Sequence, residues 1–177
     1  MDTISQVWVQ PAGPNVERGR QFCINLSQDN QQIIYSSLFH VIGLNHNTPK
    51  SSLISNEHTG SVQIVKKSGN SDTFVSADSL GKLRVWNLED PAKNLWAEDF
   101  VQGICRDFAF DSTNNKICWV TDAKGQGVFG KVLDHSKKIT IGKMEGNSAE
   151  ALTCEWPNNS KFVFTAGQDC AVTIWNV

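Results

Sequence analysis

The sequence has few of the residues that announce chemistry or a compartment: one tyrosine, two methionines, four histidines and five prolines in 177 residues. Sixteen lysines and arginines against 18 aspartates and glutamates give a formal net charge of −2. No run of like charge occurs, so nothing collects the phosphate contacts that drive nucleic-acid binding, and nucleic acid is not an expected partner. No apolar stretch approaches the roughly 20 residues that cross a bilayer as a helix, so no membrane span is expected. Met1-Asp2-Thr3-Ile4-Ser5-Gln6 has neither a basic n-region nor an apolar h-region, and the expected setting is the cytoplasm. On that expectation Asn25-Leu26-Ser27 and Asn158-Asn159-Ser160 are chance matches to the glycosylation sequon.

The cysteines, Cys23, Cys105, Cys118, Cys154 and Cys170, lie more than ten residues apart with no C-x-x-C pair. Several sit inside apolar runs, where a reduced thiol behaves as a small hydrophobe. His40, His46, His58 and His135 lack metal-ligand spacing to cysteine or carboxylate, and no metal is expected. There is no G-x-S-x-G elbow, no P-loop and no carboxylate pair of the glycosidase kind, so no catalytic residue is expected. Gly125-Gln126-Gly127-Val128-Phe129-Gly130 matches the dinucleotide pattern G-x-G-x-x-G. That pattern holds a pyrophosphate only where a helix N-terminus follows. The run that follows, Val128 to Leu133, reads as a strand, so no cofactor is expected and a nucleotide-binding oxidoreductase is the remote alternative.

What the sequence does contain is a repeat. Short strands closing on a small hydroxyl residue recur at Gln32–Ser36, Thr73–Ser76, Lys116–Thr121 and Lys161–Thr165; the steps from Ser36 to Ser76, Thr121 and Thr165 are 40, 45 and 44 positions. Polar turns before these strands keep the same step: Gln28-Asp29-Asn30, Ser68–Ser71, Ser112–Asn115 and Pro157–Ser160. Further strands follow at Leu83–Asn87, Val128–Leu133 and Ala171–Asn176, with Trp86 and Trp175 standing 89 positions apart. Apolar or alternating runs precede each polar turn, and segments 94–100 and 138–144 can supply a fourth strand.

A four-stranded unit of roughly 40–45 residues with Trp-Asn closing its third strand resembles the WD-repeat propeller blade. The expected fold is all-β: about four four-stranded antiparallel blades, forming a partial ring or half of an oligomeric ring. A strand and lead-in at 1–20 precede blades at 21–57, 58–101, 102–146 and 147–177, the last lacking its fourth strand. The resemblance implies a buried hydrogen-bonded tetrad in each blade, running from a His through a Ser or Thr and an Asp to the Trp. The second blade offers His58, Ser76 and Trp86, but Leu80 stands six residues before the Trp where Asp is expected. The fourth offers Thr165, Asp169 and Trp175, with Asn147 in the histidine's place; the third has Leu133 or a neighbour in place of Trp. Five of the six tryptophans, all but Trp8, fall at repeat positions where flat rings pack between blades.

Pro14-Asn15-Val16-Glu17-Arg18-Gly19, Ser79–Trp86, Ile104–Phe110 and Gln168–Ala171 are similar, in order and spacing, to segments of the actin-interacting protein 1 family. That resemblance implies a non-enzymatic cytosolic scaffold, associated with the cytoskeleton, that binds cofilin-decorated actin filaments and promotes their disassembly. It also implies acidic contact residues at turns of the third and fourth blades, matched here by Asp122 and Asp169. A WD-repeat subunit of an unrelated complex is the alternative, because the fold hosts many partners. An open array exposes strand edges and apolar faces. Closure is expected through further C-terminal blades, a homodimer, or another chain, and Gln6–Gln10 alternates as a strand that can fill the vacancy in the fourth blade.

Overall fold

The computed structural model describes residues 24–48, 50–55, 57–69, 71–99, 104–111, 113, 116–121, 129–134, 139–145 and 151–177. Among these, all regular structure is strand, and no helix is long and apolar enough to cross a membrane. The strands form four antiparallel sheets in chain order. The first is β1 (Ile24–Leu26), β2 (Gln32–Ser37), β3 (His40–Asn45) and β4 (Lys50–Ser55). The second is β5 (Val62–Lys67), β6 (Thr73–Asp78), β7 (Lys82–Asn87) and β8 (Asp90–Asp99). The third is β9 (Cys105–Phe110), β10 (Lys116–Thr121), β11 (Phe129–Asp134) and β12 (Ile139–Glu145), and the fourth is β13 (Ala151–Glu155), β14 (Phe162–Gly167) and β15 (Val172–Asn176). Each is a meander of consecutive hairpins, and the four stand side by side as a partial ring that does not close.

Period-2 alternation gives each sheet two apolar faces, and those faces make the core. Between the first and second sheets lie Ile34, Val41, Ile54, Val62, Val65, Phe74 and Trp86. The rings of Phe74 and Trp86 stack with centroids 4.7 Å apart and an interplanar angle of 8°. Between the second and third lie Ile64, Val75, Ala77, Leu83 and Val85 against Cys105, Phe108, Ile117 and Trp119. Between the third and fourth lie Ala109, Cys118, Val120 and Met144 against Ala151, Cys154, Trp156 and Val163, with Trp175 beside them.

These faces correct the phase of the repeat in the first sheet. Phe74, Ser76 and Trp86 face the preceding sheet, whereas Ser36 shares a face with Ile34 and Val41, which pack on the following sheet. Tyr35, not Ser36, therefore holds the place of Ser76. In the third sheet Leu133 stands opposite Ile117 as Trp86 stands opposite Phe74. The strand β11 begins at Phe129, inside the glycine-rich run, so the element that follows those glycines is a strand and not the helix that a pyrophosphate needs.

Candidate protein-interaction face

Because every sheet has the same strand order, the turns joining second to third strands emerge at one end of the array. They are Leu38-Phe39 in the first sheet, Ser79-Leu80-Gly81 in the second and Gln168-Asp169-Cys170 in the fourth. The corresponding turn of the third sheet, with Asp122, lies outside the described residues. The backbone binds the first two turns to the entry of β5: Val62 N donates to Leu38 O at 2.7 Å and Ser79 N to Ser61 O at 2.8 Å. Leu38 adopts φ 51° and Gly81 φ 80°, the left-handed conformation tight turns require. Leu38, Phe39 and Leu80 are exposed at this end.

Behind the second turn lies a buried polar chain. Trp86 Nε1 donates to Ser76 Oγ at 3.2 Å, and Ser76 Oγ lies 2.7 Å from His58 Nε2. His58 Nδ1 lies 3.2 Å from Asp78 Oδ2. Indole nitrogen can only donate, so the direction follows: Trp86 gives to Ser76, Ser76 to Nε2 of a neutral His58, and the Nδ1–H to the carboxylate. Asp78 also accepts from the backbone N–H of Gly60 at 3.1 Å and of Leu80 and Lys82 at 2.9 Å each. Asp78 supplies the carboxylate that counting back from the tryptophan places at Leu80. It sits at the end of β6, two residues earlier, and closes the same turn from there.

Electrostatics agree with that proton arrangement. Burial holds the His58 imidazole below its ordinary value of 6.5, against the opposing pull of Asp78. Burial works to raise Asp78, but hydrogen bonds from the N–H groups of Lys82 and Gly60, and then His58, outweigh it and hold the carboxyl below 3.8. Ser76, His58 and Asp78 thus carry the contacts of a serine nucleophile, general base and orienting acid. The resemblance ends with access: His58 and Asp78 side chains are wholly buried, Ser76 likewise, and the Ser76 oxygen already receives the indole. The chain stabilises the hairpin and has no room for a substrate.

The other sheets keep parts of this device. In the fourth, Trp175 Nε1 donates to Thr165 Oγ1 at 2.8 Å, and Asp169 Oδ1 accepts from Ala171 N at 3.1 Å within its own turn. Asn147, the position matching His58, lies outside the described residues. In the third sheet, the buried Thr121 hydroxyl has no hydrogen-bond partner among the described residues; in the first, the same is true of Ser36.

A second polar group, not singled out by the sequence, ties three sheets together. Asp107 on β9 is buried and its carboxylate receives four donors. Lys66 Nζ from β5 lies at 2.9 Å and Phe108 N at 2.8 Å on one oxygen. Thr153 Oγ1 at 2.6 Å and Cys154 N at 3.0 Å, both from β13, lie on the other. Asn25 performs a similar service between β1 and β5, donating to Val65 O at 2.8 Å and accepting from Lys67 N at 3.2 Å. An acidic residue amid the apolar alternation of Ile104–Phe110 was the available signal, since a buried charge persists only where donors converge on it. Cys105, Cys118 and Cys154 are buried, and burial drives the Cys154 thiol far above its ordinary value. No cluster of three or more metal-ligating side chains occurs among the described residues.

Meandering antiparallel sheets with apolar faces packed sheet to sheet define an array of β-propeller blades, the second held by a Trp–Ser–His–Asp chain behind its hairpin turn. Residues 138–176 match the family model for the WD domain, G-beta repeat. The chain is similar to actin-interacting protein 1-2 of Arabidopsis thaliana, 24% identical over 165 residues, and to actin-interacting protein 1 of Drosophila melanogaster, 23% identical over 166. Each alignment covers 92% of this chain, which spans 27% of the length of either relative. Among solved structures, the β-propeller domain of Myceliophteria thermophila Cps50 (Swd1) superposes with a TM-score of 0.73 at 12% identity, over 88% of this chain and 53% of that one. U3-55K gives 0.72 at 15% identity, over 90% and 50%, and a chain of the mitotic checkpoint complex gives 0.72 at 15%, over 98% and 57%. These likenesses establish the propeller fold.

Proposed function

We propose that this chain is a non-enzymatic scaffold of the actin-interacting protein 1 type, working in the cytoplasm on the actin cytoskeleton. Its second-to-third-strand turns dock on cofilin-decorated actin filaments and promote their disassembly. The observation that carries this reading is the alignment of nearly the whole chain with two relatives from a plant and an insect, both named for interaction with actin. The geometry supports it in a second way. Asp169 stands at a turn on the end of the array where Leu38, Phe39 and Leu80 are also exposed, and partner-binding residues concentrate on loops held by a rigid frame. Asp122 is the companion contact in the third blade.

The test is co-sedimentation with actin filaments, bare and cofilin-saturated. The chain pellets in proportion to cofilin, and Asp169→Asn weakens pelleting several-fold at unchanged Tm, because the amide oxygen still accepts from Ala171 N while the charge is gone. Failure to pellet with decorated filaments overturns the reading. Weakening by Asp169→Ala but not Asp169→Asn assigns Asp169 to the turn rather than to the contact.

A further inference from the structure

Left-handed backbone occurs among the described residues at Asn30, Leu38, Gly81, Asn159 and Cys170. Asparagine and glycine accept that conformation readily; leucine does not, because its Cβ crowds the following carbonyl. Leu38 opens a two-residue hairpin turn: Ser37 and His40 pair directly, and of Leu38 and Phe39 only Leu38 has a positive φ, 51°. A tight hairpin of this kind takes glycine at that position. Internal packing does not account for the leucine, which is 61% exposed. A strained backbone that holds a large apolar side chain out in water points to contact with another molecule.

Leu80, 63% exposed, shares a frame with it. Gly60, Ser61 and Val62 form a strut between the two turns: Val62 N donates to Leu38 O at 2.7 Å and Ser79 N to Ser61 O at 2.8 Å. A Cβ on Gly60 would lie 2.8 Å from Leu80 Cγ and 3.0 Å from Leu80 N, so the second turn rests directly on the glycine backbone. Both leucines border the seam between the first and second sheets, where both neighbours are in place. Three residues before Gly60, the Glu57 carboxylate lies 3.7 Å from Arg84 Nε, with the Glu57 side chain 46% and the Arg84 side chain 10% exposed. Arg84 turns inward, giving Nη1 to Leu83 O at 2.8 Å, and Lys82 has the acidic Asp99 as its cross-strand partner. The charge that a partner meets at the strut is therefore the Glu57 carboxylate. We infer that Leu38 and Leu80 are the apolar anchors of a docking site between the first two blades, whose occupant is an amphipathic segment of a partner protein that sets a basic side chain against Glu57. This rests on the reading of this end as the contact end, and it names the chemistry of the partner there.

The experiment is fluorescence anisotropy with two labelled model peptides, one carrying leucine and lysine at helical spacing, the other leucine and glutamate. The chain binds the leucine–lysine peptide about tenfold more tightly. Leu38→Gly, Leu80→Ser and Glu57→Gln each weaken that binding about threefold or more, whereas Leu38→Met keeps it. Leu38→Gly also raises Tm by about 3 °C, because glycine fits the turn. Stability gained as binding is lost is a pairing that a merely structural leucine does not give. The same variants weaken co-sedimentation with cofilin-decorated filaments. If the peptide results hold and the unaltered chain does not pellet, the inference stands and the actin reading alone fails. Equal binding of the two peptides, peptide binding indifferent to Leu38→Gly and Leu80→Ser, or a lowered Tm in Leu38→Gly overturns the inference, as does pelleting that ignores both leucine substitutions.

Discussion

Thr153 donates its hydroxyl to Asp107 at 2.6 Å, joining the first strands of two neighbouring sheets through a carboxylate that water does not reach. The other oxygen holds Lys66 of the sheet before, so one side chain fastens three sheets. Asp107→Ala strands these donors and opens a void. The expected loss is about 3 kcal/mol in urea unfolding, the range for removing one partner from a buried charged network. Lys66 is one-third exposed, and Lys66→Met is expected to cost about 1 kcal/mol or less. Equal effects at the two sites show that the lysine, not the strand-to-strand bonding, dominates.

The same substitution at two equally buried serines separates a working hydroxyl from an idle one. Ser76→Ala removes the acceptor for Trp86 and the donor to His58, and is expected to cost about 2 kcal/mol. Ser36→Ala deletes a hydroxyl without a hydrogen-bond partner among the described residues, so it is expected to be neutral or to stabilise by up to about 1 kcal/mol. Denaturant midpoints of the two variants check this, and a large loss at Ser36 refutes it.

Acid weakens the second sheet in two windows. A depressed histidine binds fewer protons folded than unfolded, so its contribution is complete above 6.5 and is lost as pH falls below that value. The depressed Asp78 carboxyl contributes above 3.8 and is lost as pH falls through its lower folded value. Tm is therefore level above neutrality and declines on acidification. His58→Gln flattens the decline in the histidine window, and an unchanged slope in that variant refutes the assignment.

Gly81 adopts φ 80° in the turn that Asp78 closes. Gly81→Ala forces a side chain into the left-handed region and is expected to cost about 1 kcal/mol, read as a lowered Tm.

The repeat was legible because strand chemistry and turn chemistry advance in one step, and Trp86 and Trp175 mark equivalent hairpins. Sequence counting failed wherever local geometry shifts by a residue. Asp78 was passed over because spacing was measured to the tryptophan, whereas hydrogen bonding is decided by the reach from strand end to turn. Ser36 was aligned with Ser76 by its hydroxyl, yet a one-residue change of phase sends a strand side chain to the opposite face. The third strand of the first sheet, His40–Asn45, carries Leu44 opposite Ile33, where Trp86 stands opposite Phe74, and without a tryptophan it offered no marker. Asp107 joins residues 41 and 46 positions away, a convergence that exists only once the sheets are assembled.

Moving the carboxylate from the tip of the second turn to the end of β6 has a consequence for how this fold changes over generations. At Asp169 the residue at the tip of the turn also accepts from Ala171 N, so one side chain has both a place in the turn and a place at the exposed surface. With Asp78 taking that duty, the side chain at position 80 is released from it: Leu80 gives Asp78 only its backbone N–H and leaves its side chain mostly in solvent. Folding and recognition are thereby assigned to different codons, and the second blade can drift toward new contacts without first surrendering its architecture.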